Sequence, residues 1–427
     1  MKNKKERSSQ SPKQIVAILG LGTAVSLLGE STIYTVLPEP QIASQLGLTM
    51  TMVGVLLAAN RATRLITNGP AGLLYGKFPH RPLLIASLFI GALSSVLYTV
   101  GFGFWPILFG RISWGIAWSL LWIGSRTVIS KLASGQNRGY LNGLYQMYFL
   151  IGVGLASLFG GILTDVLGFR LMQRLSALVL VTAAVCWFFL LPETSRRNRA
   201  SQSKNAEAKT EDSNLEFKKE ENRKISWVRF LPAFIAILIA RFIERGVLAA
   251  TGVLWVSNLL KSDLSLFGVV LPVITLTGTY NALRILPGLA ASPLIGWLSD
   301  RLGKRWAVMS IAFFINAAGM LLMKNPLQVF ALLGALFTSV IGGSVDSLIP
   351  AVIGDQTDPA ATGRVLGLTY IFADLGSTLG PLVSLAMLDA SIVTLDNLYL
   401  AGAGLLLLTG GLSLIAARGE RKLTTPC

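Results

Sequence analysis

The sequence predicts an all-α polytopic membrane protein of about twelve transmembrane helices, arranged as two pseudo-symmetric six-helix bundles with cytoplasmic termini. Three observations lead there: an apolar composition, apolar runs of spanning length separated by short polar breaks, and a repeat at a constant offset. Of 427 residues, 52% are hydrophobic and 14% charged, and the mean hydropathy is +0.62. That leaves too little polar surface to coat a soluble protein of this size. A helix crosses roughly 30 Å of hydrocarbon with about 20 residues. Backbone polar groups there must be satisfied internally, so helices and closed barrels are the spanning options. Barrel strands alternate every second residue, and these unbroken apolar runs do not.

The first-half spans are placed at 14–37, 51–75, 83–102, 106–131, 141–165 and 172–192. Those of the second half are placed at 229–258, 266–298, 305–323, 326–353, 364–388 and 394–417. The organisation is thus a cytoplasmic tail (1–13), a six-helix bundle (14–192), a linker (193–228), a second bundle (229–417) and a tail (418–427). The linker is rich in Ser, Asn, Lys and Glu and is expected to be flexible. The basic region at the start runs into a long first span without a small-residue cleavage site, so it is read as a retained helix.

The net charge of +16 does not point to nucleic acid, because no polar domain exists to carry a binding surface. It reports topology. Lys2, Lys4, Lys5, Arg7 and Lys13 precede the first span, nine Lys and Arg residues from Arg196 to Lys224 crowd the linker, and Arg418, Arg421 and Lys422 follow the last span. Basic loops stay on the cytoplasmic side, which requires an even number of spans in each half. The repeat supports the same count. Gly143 and Gly367, Gly152 and Gly376, and Gly72 and Gly296 each stand 224 positions apart. Two related halves are a recurring plan of secondary transporters.

The loop Gly296-Trp297-Leu298-Ser299-Asp300-Arg301-Leu302-Gly303-Lys304-Arg305 resembles the G-x-L-x-D-R-x-G-x-R signature of the major facilitator superfamily. Its first-half counterpart runs from Gly72 to Arg81 and puts Gly76 and Pro79 where the aspartate and second glycine belong. The resemblance implies a gating loop in which Asp300 stabilises one conformation through a neighbouring helix terminus, a part Gly76 cannot play. In the fifth span, Gly143, Gly152, Ala156-Ser157 and Gly160-Gly161 are similar to a glycine signature of the drug/proton antiporter-like exporters of that superfamily. The eleventh span supplies Gly367, Gly376 and Gly380-Pro381. Small-residue helix packing is the alternative reading, and the two do not exclude each other. Arg111-Ile112-Ser113-Trp114-Gly115 resembles the R-x-x-x-G pattern that the family associates with proton transfer.

Ionisable side chains inside a bilayer usually face a pathway or a partner. Here Arg61, Arg64, Arg111, Arg241, Arg245 and Arg284 meet Glu30, Glu244, Asp346 and Asp374. Arg61 and Arg64 share one helix face, and Glu30 on the first span is the expected counter-charge. A buried carboxylate beside guanidinium has the opposing influences that allow protonation to switch, whereas arginine stays charged. Glu30 is therefore the leading coupling or substrate candidate and Asp374 the second, with Arg61, Arg64, Arg111 and Arg284 around them. Arg241, Glu244 and Arg245 read as a local structural pair. Tyr34, Tyr280 and Tyr370 each stand one turn from a charge, and Trp114, Trp118 and Trp122 form a stripe with Arg111. These six aromatics are the candidate cavity lining, with lipid-facing packing the alternative for the stripe.

Other chemistry is not indicated. The single histidine, His80, falls in a loop, no G-x-x-x-x-G-K-[ST] phosphate loop occurs, and Cys186 and Cys427 are not placed to pair. No cofactor, metal or enzymatic activity is expected. The sequence points to a monomeric secondary transporter in a cell membrane, that of a bacterium from its compact loops, with lipid, a small-molecule substrate and a coupling proton as partners. A proton-coupled exporter of small amphipathic compounds is the first reading. An importer of a sugar or organic anion is the second, and a transporter-like sensor or lipid-handling flippase the third.

Overall fold

The computed structural model describes residues 11–100, 102–132, 138–192, 227–259, 265–266, 269–270, 272–357 and 359–420. The expected linker lies outside the described residues from 193 to 226, as does most of the first tail. In the first half the helices are α1 (Pro12–Val36), the short α2 (Pro40–Gln45), α3 (Met50–Lys77), α4 (His80–Leu97), α5 (Phe104–Leu132), α6 (Arg138–Leu167) and α7 (Phe169–Leu190). A 3-10 turn at Trp227–Phe230 leads into α8 (Leu231–Arg241), which passes through a π turn (Phe242–Val247) into α9 (Leu248–Leu259). A two-residue antiparallel pair, Ser265–Leu266 with Val269–Val270, precedes α10 (Val273–Leu283) and α11 (Ile285–Leu302). Then come α12 (Arg305–Leu322), α13 (Gln328–Phe337), α14 (Val340–Gln356), α15 (Pro359–Asp389) and α16 (Leu395–Glu420).

Local chemistry accounts for the boundaries. Ser11 and Gln14 form a capping box in front of α1, with Pro12 at the first helical position. Thr49 caps α3 by accepting from the Met52 N–H. Gly168 separates α6 from α7 at φ 79°, and Gly303 ends α11 at φ 59°, both in the region that glycine tolerates best.

Among the described residues, ten helical stretches are long and apolar enough to cross a membrane. The other two expected spans are present in a different form. One is α3, which carries Arg61 and Arg64 in its middle, and the other is the run α8–α9 with its π turn. Two further second-half spans are also broken, between α10 and α11 at Arg284 and between α13 and α14 at Thr338–Ser339.

Contacts group the chain into two compact units. The first comprises Met1–Thr194, Ala249–Leu283 and Pro381–Ala390, and the second comprises Ser195–Leu248, Arg284–Gly380 and Ser391–Cys427. In the first unit α1 and α6 pack closely: a Cβ on Gly152 would lie 2.5 Å from the Ala24 Cα, and one on Gly160 would strike Thr32. The second unit uses the equivalent positions in the same way. Gly376 faces the backbone of Leu238 and Phe242, and Gly380 faces Gly246 within the π turn. Because lipid is as apolar as the side chains, this close approach of backbones, not water exclusion, holds such helices together. The glycines at 152, 160, 376 and 380 are thus packing positions, while no neighbour lies within 4 Å of a Cβ at Gly143 or Gly367.

Candidate functional site

Three helices of the first unit converge on one buried ion pair. Glu30 projects from α1, Arg111 from α5, and Asn60 and Arg61 from α3. The Arg111 side chain is fully buried and that of Glu30 is 10% exposed. Arg111 Nη1 donates to Glu30 Oε2. Asn60 Nδ2 donates to the other oxygen, Oε1, at 2.5 Å. The remaining guanidinium protons reach α3: Arg111 Nε donates to the Leu56 carbonyl at 2.9 Å and Nη2 to that of Leu57 at 3.4 Å.

Tyr34, one turn after Glu30, joins the arginines. Its hydroxyl donates to the Leu57 carbonyl at 3.1 Å and accepts from Arg61 Nε at 3.1 Å and Arg111 Nη2 at 3.3 Å. Both guanidinium groups also lie over its ring, at 5.5 and 5.2 Å from the centroid.

The R-x-x-x-G spacing explains how Arg111 reaches α3. A Cβ on Gly115, one turn further along α5, would stand 2.8 Å from the Asn60 carbonyl and 2.7 Å from the Thr63 Cβ. Only a residue without a side chain lets α5 press against α3 there, and this contact brings Arg111 within reach of the Leu56 carbonyl. A charge taken out of water this completely persists only when its counter-ion and donors are satisfied, and the cluster provides that.

The structure corrects the pairing expected from the sequence. Glu30 is engaged by Arg111 and Asn60, not by the Arg61–Arg64 face. Arg61 turns to Tyr34 instead, and Arg64, one turn on, is half-buried. Asn60 went unnoticed in the sequence, where its only signal is an amide beside an arginine in the middle of a span.

The tryptophan stripe is also corrected. Trp114 and Trp118 are buried, at 4% and 8% exposure, in a cluster with Leu88, Leu121, Tyr145 and Leu180. Trp122 stacks on Trp118 at 5.4 Å and receives the Arg126 guanidinium at 4.4 Å. Trp114 and Trp118 thus pack inside the first unit, and Trp122 is partly buried beside them. Tyr280 is likewise buried, against Trp255 at 5.2 Å.

The second unit holds a separate ionic group. Arg241, 4% exposed, donates to Glu244 at 2.6 Å and to Asp346, which Arg245 also approaches at 3.7 Å. Asp346 and Tyr370 line a shallow depression together with Ile237, Ile349 and Thr369. Asp374 and Arg284, both half-buried, belong to this unit as well.

At the signature loop, Asp300 is held by Arg305 at 2.8 Å, and Arg305 also donates to Asp355. Asp300, in the last turn of α11, thus pairs with Arg305, the first residue of α12. Arg301 lies over Trp297 and Arg81 over Phe188, at 5.3 and 5.0 Å. No neighbour lies within 4 Å of a Cβ at Gly72 or Gly296.

The family model described as Major Facilitator Superfamily matches residues 19–284 and 274–425. The chain belongs to the Major Facilitator Superfamily. Together the two matches cover nearly the whole chain. The class H tetracycline resistance protein of Pasteurella multocida is 25% identical over 97% of this chain and 98% of its own length. Multidrug resistance protein 2 of Bacillus subtilis is 26% identical over 91% of this chain and 92% of its own. A bacterial homolog of the human lysosomal transporter Spinster, in an inward-facing and occupied crystal structure, superposes with a TM-score of 0.72. It is 14% identical over 97% of each chain, a likeness of fold alone. The protein is therefore a multi-pass cell-membrane transporter of this superfamily, resembling drug exporters.

Proposed function

We propose that this transporter is a proton-coupled exporter of small amphipathic compounds, and that Glu30 is its coupling group. The observation that carries the reading is the Glu30–Arg111 pair, in which one titratable carboxyl is buried beside a guanidinium that stays charged. Protonating Glu30 would remove half of the pair and leave Arg111 held by the Leu56 and Leu57 carbonyls and by Tyr34. The site then exists in two charge states of differing stability, and alternating access turns that difference into coupling. Export is supported by relatives named for tetracycline and multidrug resistance. Carrier chemistry of this kind needs no enzymatic step and no resident cofactor.

Substrate contacts are assigned to Tyr34 and Arg61 beside the pair, with Asp374, Arg284 and Tyr370 as the second-unit candidates. Termini in the cytoplasm, a monomeric state and two six-helix bundles complete the proposal.

The test is Glu30→Gln in proteoliposomes with an imposed pH gradient. Glutamine keeps an acceptor for Arg111 and turns an N–H toward Asn60, whose own amide oxygen can accept it, but it cannot exchange a proton. Expected is complete loss of uphill transport, with exchange down a substrate gradient retained. Undiminished uphill transport by the variant would sink the assignment.

A further inference from the structure

Two hydrogen-bonded clamps of the first unit sit at the helix ends remote from the start of α1, and the repeat relates them residue by residue. Asp165, near the end of α6, accepts from the backbone N–H of Thr275 at 2.7 Å and from its hydroxyl at 2.5 Å. Asp389, the last residue of α15, accepts from the backbone N–H of Thr51 at 3.1 Å and from its hydroxyl at 2.5 Å. Thr51 and Thr275 each stand in the first turn of their helix, α3 and α10. Thr275 follows Thr51 by 224 positions, and Asp389 follows Asp165 by the same 224.

The backbone packing beside the clamps repeats too. A Cβ on Gly54 would meet the Pro381 carbonyl at 2.8 Å, and one on Gly278 would meet that of Ser157. Gly278 follows Gly54, and Pro381 follows Ser157, again by 224 positions. The clamp and the glycine contact are thus each written twice, every time joining a helix from one half of the sequence to a helix from the other.

The chemistry suits a bond that forms and breaks. The first turn of a helix has N–H groups without intrahelical acceptors and a positive dipole end, and a carboxylate in front of it satisfies both. An ordinary cap comes from the same chain segment and remains in place when neighbours move. Here the carboxylate comes from another helix, so the bond lasts only while the two helices stay together.

We propose that Asp165–Thr275 and Asp389–Thr51 are matched latches that hold closed the face remote from the chain's termini, and that both release when that face opens. The proposal rests on the alternating-access reading above, and its test reads accessibility instead of transport so that the two can fail separately. By the charge distribution that face is the outer one. Two latches related by the repeat share the load: rigid parting of the helices must break both, and breaking one leaves the other as a restraint.

The probe is Asn281→Cys in a background carrying Cys186→Ser and Cys427→Ser. Position 281 lies six residues past Thr275 on α10, about 9 Å deeper. Intact cells are treated with a membrane-impermeant maleimide. Expected is a labelling rate raised about fivefold by Asp165→Ala or Asp389→Ala and roughly twenty-five-fold by both, the multiplication anticipated for separate capping interactions. Thr51→Ser and Thr275→Ser keep the hydroxyl and should label at the parent rate. If the alanine variants do not accumulate, Asp165→Asn and Asp389→Asn are read the same way with a smaller rise. Parent-rate labelling of the double variant overturns the latches, whether or not it transports. So does a rise of equal size in the serine variants, which would report general loosening. Raised labelling in a protein that transports nothing upholds the latches and removes the transport reading.

Discussion

Arg111 shows what a single residue must satisfy in this fold. Its side chain is fully buried, and its donors go to Glu30, Tyr34 and two carbonyls of α3. Lysine would carry the same charge to Glu30 but has no planar fork to span the carboxylate and the carbonyls together. Arg111→Lys is expected to destabilise the protein by about 2–4 kcal/mol, the order found when a buried pair is left poorly compensated. The check is the melting temperature in detergent, compared with Arg61→Lys. Arg61 is only half-buried, with its Nε donating to the Tyr34 hydroxyl, and should lose far less. The sequence named Glu30, Tyr34 and Arg111 as candidates because charge is costly in a bilayer. It paired Glu30 with the wrong arginines because helix periodicity says which residues share a face, not which helix comes to lie beside it. Gly115 decides that, by admitting α5 to α3.

At the scale of the element, the glycines divide by what stands opposite them. A methyl group at Gly152 or Gly376 would run into backbone, of Ala24 in one case and Leu238 in the other. Backbone cannot swing aside as a flexible side chain can, so Gly152→Ala and Gly376→Ala should each cost about 1–3 kcal/mol. No neighbour lies within 4 Å of a Cβ at Gly143 or Gly367, and alanine there should be neutral or stabilise by up to about 1 kcal/mol through helix propensity. Thermal melting of the four variants checks both halves of the contrast. The sequence pattern alone ran all four positions together as one signature. The broken spans were less legible still. Nothing in the hydropathy of Leu231–Leu259 announces a π turn, yet it sits where Gly246 meets Gly380 with backbone against backbone.

At the scale of the whole molecule, the distribution of basic residues argues for termini and a linker in the cytoplasm. An epitope tag at either terminus should therefore stay hidden from antibody in intact cells. One inserted between Ser391 and Thr394, in the turn from α15 to α16, should be accessible. Exposure of a terminal tag would invert the topology and, with it, the face assigned to the two latches.

The sequence by itself determined that the chain crosses a membrane, how often, that its halves are related, and which charges are too costly to be idle. Composition, run length and the 224-residue offset carry that information locally, and no knowledge of neighbours is needed to read them. Tertiary structure alone decided which partners Glu30, Arg111 and Arg241 take, that Trp114 and Trp118 are interior packing, and that Asp165 and Asp389 reach helices from the opposite half of the sequence. It also drew the compact units across the repeat, giving 249–283 and 381–390 to the first. The physical reason is the solvent: in lipid the apolar faces of all helices look alike. Association is then settled by close backbone approach and a few polar bonds between segments far apart in the chain.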